Sequence, residues 1–432
     1  MSTAYPPMAC PPRPAAHQQP YESGLPVQPT RYHGLWRSPR WRVWRPIVGA
    51  LVGGVLWFVA LSVFSTIGVG IDLAGGRYGS FQEYLREAAT GGGLTPAIFI
   101  ANNLALACSI PIVWLVARLH SQPIGFVHSV TGRFRWRWFG HCLLVLLPVW
   151  VVFIAVETLL AGGFDGLAVT ADTPVLILGV LLTTPIQCAG EEWFFRGGIN
   201  RLVASCFPQR TRTLGIVSAL VGGAVSSLCF MRAHSAQDPW LNITYFGFAV
   251  VACLMCYRTG GLEASTAMHI LNNMTSMVFV PFSDISRMFD RSEGTGSPAS
   301  LLQLVVLAIA AALTCWRARA RGLATTSEPE PVPAPLPPAG HWQRTCYAPG
   351  PVPVGGDPAA PGPHGVPMPY RQPVPYQPWG GSPASAQDAV APGAEPGDDV
   401  LASWQPPVGR PRIMDGDGEP PAAERPVPRQ EE

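Results

Sequence analysis

The chain has 432 residues, of which 29 are basic and 27 acidic, for a net charge of +2, and 48% are hydrophobic while only 13% are charged. All the basic residues are arginine. The net charge says little by itself, since what counts is where the arginines fall, and no nucleic-acid partner is expected. Ten cysteines bring a disulfide or metal framework to mind, but Cys108, Cys142, Cys188, Cys229, Cys253, Cys256 and Cys315 lie in apolar runs, where cysteine behaves as a small hydrophobe. Cys253 and Cys256 have CxxC spacing without a second pair nearby, so neither zinc nor redox use is expected there.

Residues 1–45 read as a disordered N-terminal tail, proline-rich and polar, that ends in a basic juxtamembrane segment with Arg37, Arg40, Arg42 and Arg45. Residues 1–30 have no apolar stretch, so no cleavable signal is expected. From 46 to 320 the chain is a run of apolar segments of the length that crosses a bilayer, ~20 residues each. They fall at about 47–69, 95–117, 139–160, 174–201, 214–234, 242–258, 262–281 and 300–317. The expected fold class is therefore all-α, a polytopic membrane protein of about eight transmembrane helices with a polar cavity in the bundle. Residues 321–432 form a second expected disordered tail, holding more than half of the 47 prolines. Its segment 367–379, rich in Pro, Tyr and Gln, is expected to be a solvated linker, with binding to an aromatic groove of a partner as the alternative.

Arginine-rich loops alternate with loops carrying Asp72, Glu83, Glu87, Asp165, Asp172, Asp284 and Asp290. The rich set contains the segment before the first span, Arg118 with Arg133 to Arg137, Arg201 to Arg212, and Arg317 to Arg321. By the positive-inside rule this places a multi-pass protein in the cell membrane with both termini cytoplasmic.

Within the fourth span stands Cys188-Ala189-Gly190-Glu191-Glu192-Trp193-Phe194-Phe195-Arg196-Gly197. An ionisable side chain at such depth costs roughly 2.5–3.5 kcal/mol on insertion scales, so it normally faces a protein interior or a wet cavity. Glu192 and Arg196 are four residues apart and share a helix face, which favours an ion pair and leaves Glu191 as the unpaired acid. Phe230 and His234 have the same spacing, as do His269 and Asn273. An antiparallel fourth and fifth span bring Glu191 and His234 to similar depth. His269 lies only about ten residues from the turn at 258–261, so either that turn is sunk within protein, as buried irregular backbone permits, or the span boundaries differ.

A carboxylate, two imidazoles and an amide suffice to hydrolyse an amide bond. Glu191 can take a proton from a water held by His234, and His269 with Asn273 can donate hydrogen bonds to the tetrahedral oxyanion. The same residue types permit a metal centre, with Glu191, His234 and His269 binding a divalent ion such as zinc. No cofactor or a divalent metal are thus both open.

The three motifs, Glu191-Glu192-x-x-x-Arg196, Phe230-x-x-x-His234 and His269-x-x-x-Asn273, in this order on apolar spans, resemble those of the CAAX protease and bacteriocin-processing family (CPBP, also called Abi). The segment from Gly260 to His269 is similar to that family as well, and the resemblance covers roughly 174–281. It implies an intramembrane endopeptidase related to the CAAX prenyl protease. Glu191 maps to the water-activating acid, His234 to its partner, His269 and Asn273 to the polarising pair, and Glu192 with Arg196 to the supporting part of the first motif. The implied partners are the lipid bilayer and a membrane-associated peptide or protein substrate. Arg232, between Phe230 and His234, departs from the small or apolar residues usual there. A different class of function, a non-catalytic immunity or scaffolding protein or a transporter, would use the same polar cluster for binding. No repeated halves with interrupted helices, as transporters show, are present.

Overall fold

The computed structural model of the protein describes residues 24–328, except 90–91, 161–162 and 165. The proline-rich segment 367–379 and the greater part of both expected tails lie outside the described residues. Everything described is helix, turn or loop, with two isolated bridges and no strand.

In chain order the helices are α1 (Trp44–Ala74), α2 (Phe81–Ala89), α3 (Pro96–Ala107), α4 (Ser109–Leu119), α5 (Gly125–His128), α6 (Trp136–Leu160) and α7 (Thr173–Glu192). A π-helical turn, Trp193–Ile199, carries α7 into α8 (Asn200–Ser205). There follow α9 (Arg212–Ala233), α10 (Pro239–Thr259), α11 (Glu263–Ser276), α12 (Ile285–Met288) and α13 (Leu301–Ala320). Starts follow from local chemistry. Thr95 and Thr211 accept the amides of Ile98 and Leu214 at 3.2 Å. Asp238 caps α10 through the amides of Trp240 and Leu241, with Pro239 in the first turn, where a missing amide hydrogen costs nothing.

Among the described residues seven helical stretches are long and apolar enough to cross a membrane. Their outer faces carry large exposed apolar side chains, such as Ile47, Phe58 and Leu144. Small residues line the contacts between them: Gly49 of α1 sits against Val116 of α4, and Gly68 against Ala101 of α3, the close approach that packing in lipid requires.

The eighth expected span, 262–281, is where the structure corrects the sequence reading. Gly260, at φ +74°, ends α10 in the left-handed conformation that glycine tolerates, and α11 has only 14 residues, about 21 Å of helix. It need not match the bilayer because protein covers both of its ends. At its start the turn is sunk under the loop after α5, with the Val130 amide donating to Gly260 and the Leu262 amide to the His128 carbonyl, both at 2.9 Å. The Arg135 guanidinium meets the fully buried Glu263 at 2.8 and 2.6 Å. Beyond its other end, Val280 and Pro281 are buried, and the Pro281 carbonyl accepts from Thr173 at 2.7 Å.

A second correction concerns residues 24–43 and 322–328, assigned to the tails by composition. Tyr32, Leu35 and Trp36 are buried against the loop after α4. Tyr32 donates its hydroxyl to Val127, and Trp36 donates to Gln122 at 2.9 Å. The fully buried Arg201 of α8 also donates to Gln122, at 2.6 Å, and lies over the rings of Tyr32 and Trp36. The Ser327 amide donates to Thr30 at 2.8 Å and Arg31 bridges Thr326. Aromatic anchors and backbone pairing hold a segment whose composition alone reads as unstructured. The pairing also places the first and last described segments on one side of the bundle.

Candidate active site

α7 brings its two glutamates to the middle of the bundle and then widens into the π turn, a local irregularity that is common at functional sites. The widening shifts the register, so Arg196 and Phe195 point inward together with Glu192; all three are buried. Gly190 permits the approach. A Cβ there would lie 2.2 Å from the Leu106 carbonyl oxygen and 3.0 Å from the Ala107 Cα.

Glu192 and Arg196 form the ion pair expected from their spacing, at 3.0 Å and fully buried. The pair is close, but it is not aligned as a hydrogen bond. The guanidinium is further held over the rings of Phe230, at 4.6 Å, and Phe248, at 5.8 Å. Cation–π contact thus offsets part of the desolvation of the charge.

His269 lies between the two glutamates. Its Nδ1 is 2.9 Å from Glu192 Oε1 and its Nε2 is 3.3 Å from Glu191 Oε2. A carboxylate can only accept, so Nδ1–H donates to Glu192. Nε2 then faces Glu191. The sequence reading had set His234 beside Glu191 and His269 with Asn273; the structure puts His269 against Glu191. The 3.3 Å contact is not aligned as a hydrogen bond, and buried Glu191 Oε2 has no hydrogen-bond partner.

Glu191 lines a cavity of about 340 Å³ whose wall also includes His234, Asn273, Gln187, Asn102 and Asn103. His234 stands directly after α9, with its ring against Phe230 and Tyr245 at centroid distances of 4.5 and 4.2 Å. Its Nδ1–H donates to the Phe230 carbonyl at 2.8 Å. In the neutral ring Nε2 is therefore the acceptor. Asn273 is oriented by a chain of amides: Gln303 donates to Asn272 at 2.8 Å, and Asn272 donates to Asn273 Oδ1 at 3.2 Å. The Asn273 amide hydrogens are thereby left facing Gln187, whose oxygen is 3.5 Å away.

All six sequence candidates, Glu191, Glu192, Arg196, His234, His269 and Asn273, thus fall in one neighbourhood. Arg232, one turn from it, is exposed. The sequence reading missed Gln187, Asn102, Asn103 and Gln303. Gln187 precedes Glu191 by four residues and so shares its face, and the adjacent asparagines stand in an apolar run; both were readable as intramembrane polar residues. Gln303 carried no such signal, because only packing of α13 on α11 brings it to Asn272.

A metal centre needs three or more converging donors. Among the described residues no group of three His, Cys, Asp or Glu side chains is placed to hold an ion. Glu191, His234 and His269 do not form the zinc site considered from sequence. The CxxC cysteines likewise diverge, Cys253 toward Asn200 and Cys256 toward Ser265.

Fold and site together define a multi-pass helical membrane protein with a carboxylate–imidazole cavity. Residues 172–275 match the Rce1-like family, described as type II CAAX prenyl endopeptidase Rce1-like, which bears out the resemblance carried by the three motifs. The chain is also similar to the uncharacterized protein YyaK of Bacillus subtilis (strain 168), 25% identical over 218 residues, covering 48% of this chain and 71% of that protein. No solved structure matches. The family match suggests an intramembrane endopeptidase of the CAAX type.

Proposed function

We propose that the protein hydrolyses peptide bonds of a membrane-associated substrate, with Glu191 as general base. The observation that carries this reading is that Glu191 lines a cavity together with His234 and Asn273, while the adjacent Glu192 is taken up by Arg196 and His269. An acceptor so placed is suited to draw a proton from water. The water's oxygen attacks the carbonyl carbon, its proton passes to Glu191, and the same proton is delivered to the departing amine as the C–N bond breaks.

His234 accepts the water's second hydrogen at Nε2, which orients the attacking lone pair. Asn273 donates to the developing oxyanion, a contribution worth several kcal/mol in a water-poor site. His269 has both ring nitrogens turned to the glutamates, so its part is to position Glu191 beside the cavity. Glu192 and Arg196 anchor that imidazole from behind. No step needs a metal.

The test is cleavage of a reconstituted membrane-associated substrate, normalised to folded protein, with and without a strong chelator. Loss of cleavage in Glu191→Gln with activity unchanged by chelation supports the proposal. Full activity in Glu191→Gln, or a complete and zinc-reversible loss on chelation, overturns it.

A further inference from the structure

The two ends of the bundle differ in charge. The end where the first and last described segments pair carries Arg37, Arg118, Arg133, Arg210 and Arg319 on the adjoining loops and helix ends. The far end carries Asp72, Glu83, Glu87, Asp172, Asp238, Asp284, Asp290 and Glu293, which outnumber its arginines, Arg77, Arg86 and Arg291 among them. Positive charge marks the cytoplasmic side of short loops.

The cavity beside Glu191 reaches the acidic end. Its wall includes Leu94, just before α3, together with Met277 after α11 and Phe289 and Arg291 before α13. His234, directly after α9, completes that rim, and no residue of the paired segments or of the buried turn 258–262 takes part. The rim is tied together by polar contacts. Arg291 donates to the His234 carbonyl at 2.9 Å, the Gln237 amide donates to the Arg291 carbonyl at 2.8 Å, and Ser286 donates to the Leu94 carbonyl at 3.4 Å. Further in, Trp57, Leu61 and Phe99 provide an apolar wall.

We infer that the cavity admits its substrate from the extracytoplasmic side, and that the substrate is an apolar peptide segment already carried across the membrane. This rests on the endopeptidase reading for the word substrate, while the direction of access rests on charge and cavity geometry alone. A segment still in the cytoplasm would have to pass the buried Gly260 turn and the layer built on Tyr32, Trp36 and Arg201. One in the outer half of the bilayer meets the rim directly.

The experiment is cysteine labelling in intact cells with a membrane-impermeant maleimide. Leu94→Cys and Phe289→Cys report the rim and Arg210→Cys the opposite end, each with the exposed Cys206 changed to serine. The expected result is labelling of both rim positions in intact cells, and of Arg210→Cys only after permeabilisation. The reverse pattern overturns the inference, as does a rim that stays unlabelled in both states. Labelling is read again in Glu191→Gln protein, where catalysis plays no part. Rim labelling from outside without cleavage of any membrane peptide by the unsubstituted protein would sink the endopeptidase reading and leave the direction of access standing.

Discussion

At the scale of single residues, the adjacent glutamates have different work because their partners differ. Glu192 neutralises Arg196 and accepts from His269, and it is fully buried; Glu191 lies at the cavity and keeps one oxygen unpartnered. Glu191→Gln should therefore lower the cleavage rate by ~10²–10⁴-fold, the size that general-base removal produces, with the amount of folded protein in the membrane unchanged. Glu192→Gln should act on stability. It leaves a buried guanidinium without its counter-charge, a loss of about 3–5 kcal/mol, to be read as a lower unfolding temperature in detergent and lower abundance. Equal losses of activity at equal folded protein in the two variants would contradict this division.

At the scale of elements, the site depends on how closely α7 meets the junction of α3 and α4, and on how α11 is anchored. Gly190→Ala would drive a methyl group into the backbone of Leu106 and Ala107, which cannot swing aside as a side chain can. Displacement of α7 should follow, with both a lowered unfolding temperature and a fall in turnover, since a misplacement of ~1 Å can cost ~10²-fold. The start of α11 is held by Arg135 on Glu263. Arg135→Ala should destabilise the fold by about 3–5 kcal/mol through the uncompensated buried carboxylate, whereas Arg135→Ala combined with Glu263→Gln should recover part of that loss. Thermal unfolding of the two variants in the same detergent checks it.

At the scale of the whole molecule, segments from both ends of the described chain close one face of the bundle, which revises what can be removed. All six candidate site residues lie between Glu191 and Asn273, so truncation after Glu328 is expected to leave insertion and cleavage unchanged. Truncation after Arg321 also removes Ala324, whose carbonyl accepts from Arg135 at 3.3 Å, and Ser327, which pairs with Thr30. It should lower stability and, through α11, activity. Comparison of the two truncations by yield, unfolding temperature and turnover separates a dispensable extension from a structural strap. Reporter fusions after residue 325 are expected to be active only as cytoplasmic reporters, the orientation that the alternating arginines predict.

What the amino-acid sequence determined by itself is whatever depends on spacing along one helix or on the solvent around it. Runs of about 20 apolar residues define a helical membrane bundle, since only closed hydrogen bonding survives in lipid. The i,i+4 spacing of Glu192 and Arg196 foretold their ion pair, and the cost of burying Glu191 marked the site. The sequence did not disclose the partners across helices. His269 meets both glutamates because α11 packs on α7 and is shortened by a turn whose polar backbone is satisfied by the loop after α5, a contact distant in the chain. The anchoring of residues 24–43 was hidden for the same reason: Tyr32, Leu35 and Trp36 are too few for a core of their own. Their burial against Gln122 and Arg201 exists only once the bundle has formed. Tertiary packing also set the end at which the cavity opens, because that depends on which helix ends converge, and no local pattern of residues encodes it.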